Sequence, residues 1–375
     1  MAATTGITST ITNEALAAFK ARVGETRKRA YEEWELADAK ILRSQIRSWS
    51  VINGGMRPLY MDPDHAAKSP WGALIAPPAV ILSYEQFNPE TDAIQGTFNI
   101  LSSAKVEWDG PLKMGDTLLP ESVITSVEEI TKDPSEGRVV SQVVTTEIRN
   151  LDGRLVGKAV LDWHFFERGS GAQRALFGDR EDAYMWSQEQ IEALGAEYKE
   201  EEQRGADTLY WDDVKEGEEL DHVLKGPTTR TKYVGRSGSV WYWGMKLGFE
   251  SMEQRPELFF ENENSSLEPI MAVDWVHHRS QRWGGLPGSL EENTDHVHYL
   301  VQALVNWSGD AGFPHSMDLQ FPIQNMVGDV TRSYGRVTGK RKEGDKAIVT
   351  FEVWQENELD ERITTGTAEM VLPTR

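Results

Sequence analysis

The stretch that decides the fold lies at residues 52–78 and reads INGGMRPLYMDPDHAAKSPWGALIAPP. A glycine pair and Pro58 open it, and both residue types turn the backbone. A polar segment follows, with Asp62, Asp64 and His65. The passage then ends on small residues and leads into the apolar run 79–84. This order predicts a loop that lays polar side chains against the start of a buried helix.

The spacing of apolar residues changes along the chain around this loop. Apolar residues recur at helical spacing over 13–49, which predicts a leading helix that Gly24 can divide. A second helix is expected near 79–86, directly after the loop. Residues 96–165 then alternate between apolar and polar and are rich in β-branched types. That alternation predicts an antiparallel meander of strands.

The middle of the chain is polar. Residues 167–215 are predicted to form a helical linker, and the run KEEEQR at 199–204 is typical of a solvated face. We therefore expect an N-terminal module with a leading helix at 1–166 and a C-terminal module at 216–375.

The second half repeats the plan of the first half. A loop-rich stretch precedes a predicted helix near 294–307, and three predicted strands follow within 330–372. Gly-Asp dipeptides at 115–116 and 328–329 stand at matching places before each meander. The pattern predicts an α+β double hot-dog fold, in which two tandem modules each wrap an antiparallel sheet around a long helix.

The loop resembles that of the MaoC-like acyl dehydratases, which are hot-dog enoyl-thioester hydratases. Their active loop reads Asp-x-Asn-Pro-x-His and is followed by a glycine and a buried helix. Pro58 and Gly72 stand on the motif proline and the later glycine, whereas Gly55, Arg57 and Tyr60 replace the motif Asp, Asn and His. The loop therefore keeps the proline and glycine positions of the family motif but lacks its catalytic Asp and His.

The second half extends the resemblance to nearly the whole chain. The runs LPGSLE at 286–291 and NWSGDAGF at 306–313 resemble the C-terminal module of the long, two-module members. The resemblance implies a lyase that adds or removes water on an acyl thioester of coenzyme A, without a cofactor. It also implies a homodimer, because hot-dog sheets commonly pair edge to edge.

Composition excludes several classes of protein. The net charge of −21 and the pI near 4.9 argue against nucleic-acid binding and against docking on anionic membranes. The chain has no cysteine, so thiolate metal sites and cysteine nucleophiles are excluded. No signal sequence is recognisable and no run approaches the ~20 apolar residues of a membrane span. We expect a cytoplasmic protein.

Hydration of an enoyl thioester needs a base, an acid and donors for the thioester oxygen. Asp274, His277 and His278 lie in the second-half loop and are predicted to exchange protons, because an Asp beside a His forms an acid–base pair at neutral pH. Tyr60 stands on the motif His position and is predicted to donate a proton or a hydrogen bond. The predicted substrate-binding residues are Arg57, Asp62, His65, Trp71, Gly72, Trp275 and Arg282.

Other interpretations stay open. In a degenerate first module, Tyr60 would pack in the core and Arg57 would form a surface ion pair. His296 and His298 are expected to have a helix-surface or capping role, and the histidine spacings match no metal motif. Two further functions fit the altered motif: a lyase or isomerase repurposed for a non-thioester substrate, and a non-catalytic acyl-binding subunit of a larger complex.

Overall fold

The computed structural model describes residues 8–29, 40–53, 55–89, 94–229, 253–254, 256, 259–261, 266–269 and 276–375. Its α-helices are α1 Asn13–Lys20, α2 Arg43–Ile52, α3 Pro58–Met61, α4 Pro63–Lys68, α5 Gly171–Arg174, α6 Gln188–Glu197, α7 His277–Arg279 and α8 Asn293–Ser308. Shorter 3₁₀ helices span Pro78–Tyr84, Pro134–Glu136, Ala175–Phe177, Tyr198–Glu200 and Trp211–Asp213, and a π-helix spans Ser280–Gly284. The strands are β1 Thr26–Lys28, β2 Phe98–Trp108, β3 Leu118–Glu129, β4 Val139–Asn150, β5 Leu155–Phe166, β6 Val223–Lys225, β7 Phe259–Glu261, β8 Leu267–Pro269, β9 Phe313–Gln320, β10 Thr331–Glu343, β11 Lys346–Glu356 and β12 Arg362–Leu372.

Ten strands form one sheet in the order β1-β3-β4-β5-β2-β9-β12-β11-β10-β6. The order reads the same from either end once each strand is replaced by its counterpart in the other half, so two meanders face each other across a pseudo-twofold axis. They are joined by the antiparallel pairing of β2 with β9, in which Val106 lies opposite Met317. This sheet, with the helix α8 inside it, confirms the predicted α+β double hot-dog fold.

The two Gly-Asp dipeptides form the same turn. Asp116 accepts a hydrogen bond from the backbone N–H of Lys113 at 2.8 Å, and Asp329 accepts one from the N–H of Met326 at 2.7 Å. In each turn the preceding glycine has a positive φ, 95° at Gly115. Both turns are followed by the second strand of their meander, as the internal repeat predicts.

Isolated bridges give a residue-by-residue correspondence between the two loops that lead into the central helices. Ile75 pairs with Lys113 in the first half, and Leu290 pairs with Met326 in the second half. These bridges place the segment after the polar loop against the Gly-Asp turn in both halves. Positions around the bridges can therefore be compared directly.

The central helices differ in length, which corrects the prediction of a long helix in each module. α8, the central helix of the second half, has 16 residues, whereas the first half has only the seven-residue 3₁₀ helix Pro78–Tyr84. The first-half helix ends because Glu85 leaves the helical conformation, with a φ of −58° and a ψ of 134°. Side chains from both halves pack in one core with α8, as Ile81 and Leu300 show.

The predicted leading helix over 13–49 is wrong in extent. α1 ends at Lys20, Gly24 turns the chain with a φ of 89°, and β1 then pairs with β3. The helix therefore ends before Gly24, and this glycine turns the chain into β1. Residues 30–39 lie outside the described residues, and α2 follows them.

The linker is only partly solvated, which corrects the interpretation of the run 199–204. The carboxylate of Glu201 accepts hydrogen bonds from Gln302 at 2.9 Å and from Asn306 at 3.1 Å, both on α8. Arg204 donates to the carbonyl of Trp307 at 2.6 Å. A charged run in sequence thus supplies partners for polar groups of a buried helix. The proposed module boundaries at 166 and 216 stay a prediction.

A buried ion cluster holds the linker to the second meander. Arg180 contacts the carboxylate of Asp329 through both terminal nitrogens, at 2.5 and 2.8 Å, and that of Glu358 at 3.4 Å. All three side chains are at most 7% exposed. Burial, and then the charge of Asp329, raise the pKa of Glu358 to about 7 from its usual 4.5.

This pKa predicts how stability varies with pH. Because folding favours protonated Glu358, its contribution to stability is complete below about pH 4.5 and is lost as the pH rises through about 7. Melting temperatures of the wild type should therefore fall between pH 5 and pH 8 relative to those of Glu358→Gln. The control Glu352→Gln, an exposed residue of β11, should track the wild type. Parallel curves for the wild type and Glu358→Gln would contradict the assignment.

Two glycine substitutions should act in opposite directions. A Cβ on Gly366 in β12 would collide with the backbone carbonyl of Asp318 in β9, the strand that joins the two meanders. Gly366→Ala should therefore lower the free energy of unfolding by about 2 kcal/mol.

In α6, a Cβ on Gly195 meets no atom of the described residues within 4 Å, so Gly195→Ala should raise the free energy of unfolding by up to about 1 kcal/mol. Chemical denaturation measures both; a neutral Gly366→Ala would contradict the register of β9 and β12.

Candidate functional site

Ionisable side chains are buried where the central helix α8 begins. This helix-start cluster comprises Glu291, Asp295, His296 and His298, all at most 7% exposed. The expectation that His296 and His298 lie on a helix surface is wrong. The sheet and the loops cover α8 on all sides, so even its polar stripe faces protein. Acids and histidines enclosed together can donate and accept protons away from bulk water.

Glu291 is the most closely surrounded member of the cluster. Its carboxylate accepts a hydrogen bond from the hydroxyl of Tyr299 at 3.0 Å and one from the amide of Asn325 at 3.4 Å. Its main chain is fixed as well, since its N–H donates to the carbonyl of Asn325 and its carbonyl accepts from Gln324. The carboxylate is thus held in one place by ordered donors.

The equivalent positions of the first half carry no such groups. Ala76 makes the same backbone hydrogen bond to Leu112 that Glu291 makes to Asn325. All four residues are buried. The fold is therefore built with apolar residues at these places in one half and with polar residues in the other. We attribute the polar pair to chemistry, because the fold alone does not require it.

His277 lies beside this region. Its ring nitrogen Nδ1 and the sulfur of Met326 both lie 2.9 Å from where a Cβ on Gly288 would be, so only glycine leaves room for this ring. Its Nε2 contacts Asp182 Oδ1 at 3.0 Å. A backbone hydrogen bond from Ala183, and then His277, hold the pKa of Asp182 below its usual value. His277 and Asp182 are 41% and 69% exposed, which makes theirs a surface pair.

The other residues predicted to act in the second-half loop are either exposed or outside the described residues. His278 and Arg282 are exposed. Asp274 and Trp275 lie outside the described residues, so their predicted roles in acid–base exchange and substrate binding stay predictions.

A second polar cluster lies where α8 ends. Arg57 donates to Asn306 Oδ1 at 2.6 Å and to Asp310 Oδ1 at 3.3 Å, and it is 1% exposed. The surface ion pair considered for Arg57 is therefore wrong, because the pair is buried. Gly309 permits the approach: its φ is +73° and a Cβ there would lie 2.7 Å from the carbonyl of Asp207. The chain turns at this glycine and presents Asp310 to the first-half loop.

Four further loop residues predicted to bind substrate meet at this end of α8 or support it. His65 Nε2 lies 2.6 Å from Asp310 Oδ2, and Trp71 donates its indole N–H to the Asp310 carbonyl at 2.7 Å. Asp62 caps α4 by accepting from the N–H of His65, so its role is to hold the loop. Gly72 follows with a φ of 69° in the turn after Trp71.

Tyr60 packs in the core beside this cluster, as the degenerate-module interpretation expects. Its side chain is 4% exposed, and burial raises its pKa to about 12, with Arg57 lowering and Asp310 raising it. The hydroxyl therefore stays protonated at neutral pH and can only donate or accept a hydrogen bond, as a neutral group.

The two clusters occupy opposite ends of α8. At 1.5 Å per residue, residues 293 and 306 are about 20 Å apart along the helix axis. Arg57 therefore lies at the opposite end of α8 from the helix-start cluster, and the prediction that Tyr60 and Arg57 face the same substrate as His277 stays a prediction. Sequence reasoning assigned Glu201 to a solvated run, and it included Glu291, Asn306 and Asp310 only as members of the runs 286–291 and 306–313.

Two classes of site and segment are not found in the described part of the chain. It holds no group of three or more His, Asp or Glu residues placed to bind a metal ion. None of its helices is long and apolar enough to cross a bilayer.

Comparison with solved structures identifies proteins of the same fold. A MaoC-like dehydratase superposes with a TM-score of 0.63 at 15% identity, over 95% of this chain and all of its own. A conserved hypothetical protein from Mycobacterium tuberculosis with a double hot-dog fold gives 0.57 at 13% identity, over 93% of this chain and 96% of its own. A putative MaoC domain dehydratase from Chloroflexus aurantiacus gives 0.53 at 11%, over 94% and 96%. Identities this low establish the fold alone.

Comparison of the sequence with proteins of curated function gives no match. Comparison with models of protein families gives one. Residues 30–159 match the model of the FAS1-like dehydratase domain region. At the level of the fold, the resemblance inferred from the loop is confirmed: the chain shares the double hot-dog fold of these structures, and residues 30–159 are similar to a FAS1-like dehydratase region.

Proposed function

We propose that the protein is a hydro-lyase that adds or removes water on an acyl thioester, with coenzyme A as the thiol. The observation that carries the proposal is the helix-start cluster, in which Glu291 replaces the Ala76 of the first half. The dehydratase region matched by residues 30–159 supports the same class of reaction.

The start of α8 supplies what the reaction needs. The first N–H groups of a helix have no intrahelical acceptors and carry partial positive charge, so they favour the oxygen of a thioester as charge develops on it. The side chain of Glu292 at the N-cap does not bond to these groups. Glu291 and His296 stand next to them and are buried, so proton exchange with a bound substrate is shielded from solvent.

In the proposed dehydration, a base removes the proton on the carbon next to the carbonyl. The β-hydroxyl then leaves as water after an acid has protonated it. We assign these proton transfers to Glu291 and to His277, which borders the cluster at Gly288. Asp182 is the described carboxylate that orients His277, and Asp274 keeps its proposed role in the same loop. A homodimer and a cytoplasmic location stay expectations from the sequence.

Glu291→Gln should abolish most of the activity. A panel of short, long and aromatic enoyl-coenzyme A thioesters is mixed with the protein, and loss of the conjugated thioester absorbance is followed. Because Gln keeps the shape of Glu but exchanges no proton, kcat should fall by roughly 10²-fold or more. The exposed control Glu352→Gln should leave kcat unchanged. Turnover that survives Glu291→Gln would contradict the assignment.

Adjacent histidines of α7 provide a matched pair of variants. His277 borders Gly288, whereas His278 is exposed. His277→Gln should lower kcat by roughly 10²-fold, and His278→Gln should change it by less than about twofold. Equal effects of the two variants would remove His277 from the reaction. If the folded wild type turns over none of the thioesters in the panel, the result would favour a non-thioester lyase or a non-catalytic acyl-binding subunit.

A further inference from the structure

The cluster at the end of α8 has no part in the proposed reaction, because about 20 Å of helix separates it from Glu291. We propose that His65, Asp310, Arg57 and Tyr60 form a second acid–base site, which takes a small acyl or carbonyl compound with acidic protons next to the carbonyl. The choice of an acyl thioester as ligand rests on the proposed function, whereas the site rests on its own geometry.

The charges around Asp310 fix the state of the histidine. One carboxylate oxygen accepts from Arg57 and the other lies 2.6 Å from His65 Nε2. Asp310 is 5% exposed, and the guanidinium of Arg57 balances its charge inside the protein. The Asp310 oxygen next to the ring accepts a hydrogen bond from Nε2–H of the imidazole. The proton of the neutral ring is then on Nε2, and Nδ1 is left with a lone pair as a base.

A ligand can reach this base from solvent. The side chain of His65 is 27% exposed, in contrast to the buried Asp310 behind it. Among the residues that the structure describes, none forms a hydrogen bond with Nδ1. The pair therefore has a fixed, buried side and an open side, which is the arrangement in which a carboxylate orients a catalytic imidazole.

Donors for a carbonyl oxygen are present beside the pair. Tyr60 is 4% exposed, and its hydroxyl has no hydrogen-bond partner among the described residues. Arg57 Nε is likewise buried and without a partner in that part of the chain. A buried donor that lacks an acceptor costs about 1–3 kcal/mol, so a ligand oxygen that reached Arg57 Nε would be stabilised there.

These residues come from three separated parts of the chain. His65 lies outside the positions of the dehydratase motif, and Asp310 comes from the other half of the molecule. Asn306 fixes Arg57 by accepting from it, and its own amide nitrogen donates to Glu201 of the linker at 3.1 Å. Glu201 thus sets the amide of Asn306 so that its oxygen faces Arg57. Asp310, Asn306 and Glu201 are positioning residues of the site.

The step that follows is a reversible proton transfer. His65 Nδ1 takes a proton from the carbon next to the carbonyl, and the electron pair moves to the carbonyl oxygen, which accepts a hydrogen bond from Tyr60. The enolate takes a proton back from the imidazolium and the ligand is regenerated. In D₂O the returned proton is a deuteron, so the reaction appears as exchange at this carbon without any co-reactant.

The test uses the full chain with butyryl-coenzyme A in D₂O, and ¹H NMR follows exchange at the carbon next to the thioester carbonyl. Exchange should persist in Glu291→Gln, which lacks the base at the start of α8, and should fall at least tenfold when His65→Gln is added to Glu291→Gln. His222→Gln is the matched control, because His222 also pairs with a carboxylate, that of Glu197 at 2.8 Å, but away from this cluster. Exchange that is lost in Glu291→Gln but unchanged in His65→Gln would overturn the second site and leave the proposed function standing.

A spectroscopic measurement tests the positioning role independently of turnover. In protein labelled with ¹⁵N-histidine, the resonance pair that disappears in His65→Gln should show the Nε2–H tautomer in the wild type at pH 7.5. Asp310→Asn should convert it to a mixture of tautomers. A wild-type His65 that already exchanges between tautomers would overturn the proposal, even if enoyl thioesters are hydrated at the other end of α8.

Discussion

The pairing of β2 with β9 is the constraint on which the rest of the molecule depends. It fuses two meanders into one sheet of ten strands and sets the pseudo-twofold relation between them. Once these strands are paired, each polar loop is carried to the other half: Trp71 packs edge-on against Phe313, and Leu286 lies in one cluster with Phe98. The cluster at the end of α8, in which Arg57 and His65 meet Asp310, could not be assembled by one half alone.

The two halves share a frame but have diverged in what the frame encloses. The first half has a seven-residue 3₁₀ helix and apolar residues where the second half has a helix of 16 residues and an enclosed carboxylate. Burying Glu291 without ordered donors would cost several kcal/mol, and Tyr299 and Asn325 reduce that cost. This asymmetry is the basis of the proposal that the chemistry takes place at the start of α8, although the family motif is absent from the first-half loop.

Sequence reasoning predicted what periodicity and repetition encode. Alternating residues gave the meanders, and the Gly-Asp turns gave the internal repeat, because both are local patterns. The sites depend on contacts across the fold: His65 meets Asp310 over 245 residues of chain, and Glu201 reaches α8 from a run that looks solvated. The burial of His296 could not be predicted either, because an amphipathic pattern does not show that both faces of a helix are covered.

The central claim is that the acyl thioester binds at the start of α8. The most direct test is a crystal structure of the full chain with butyryl-coenzyme A, which has no double bond to hydrate. The account predicts that the carbonyl oxygen lies within hydrogen-bond reach of the first N–H groups of α8, with the carbons of the reaction facing Glu291 and His277. Butyryl-coenzyme A bound elsewhere, with the start of α8 still closed by protein side chains, would contradict the claim.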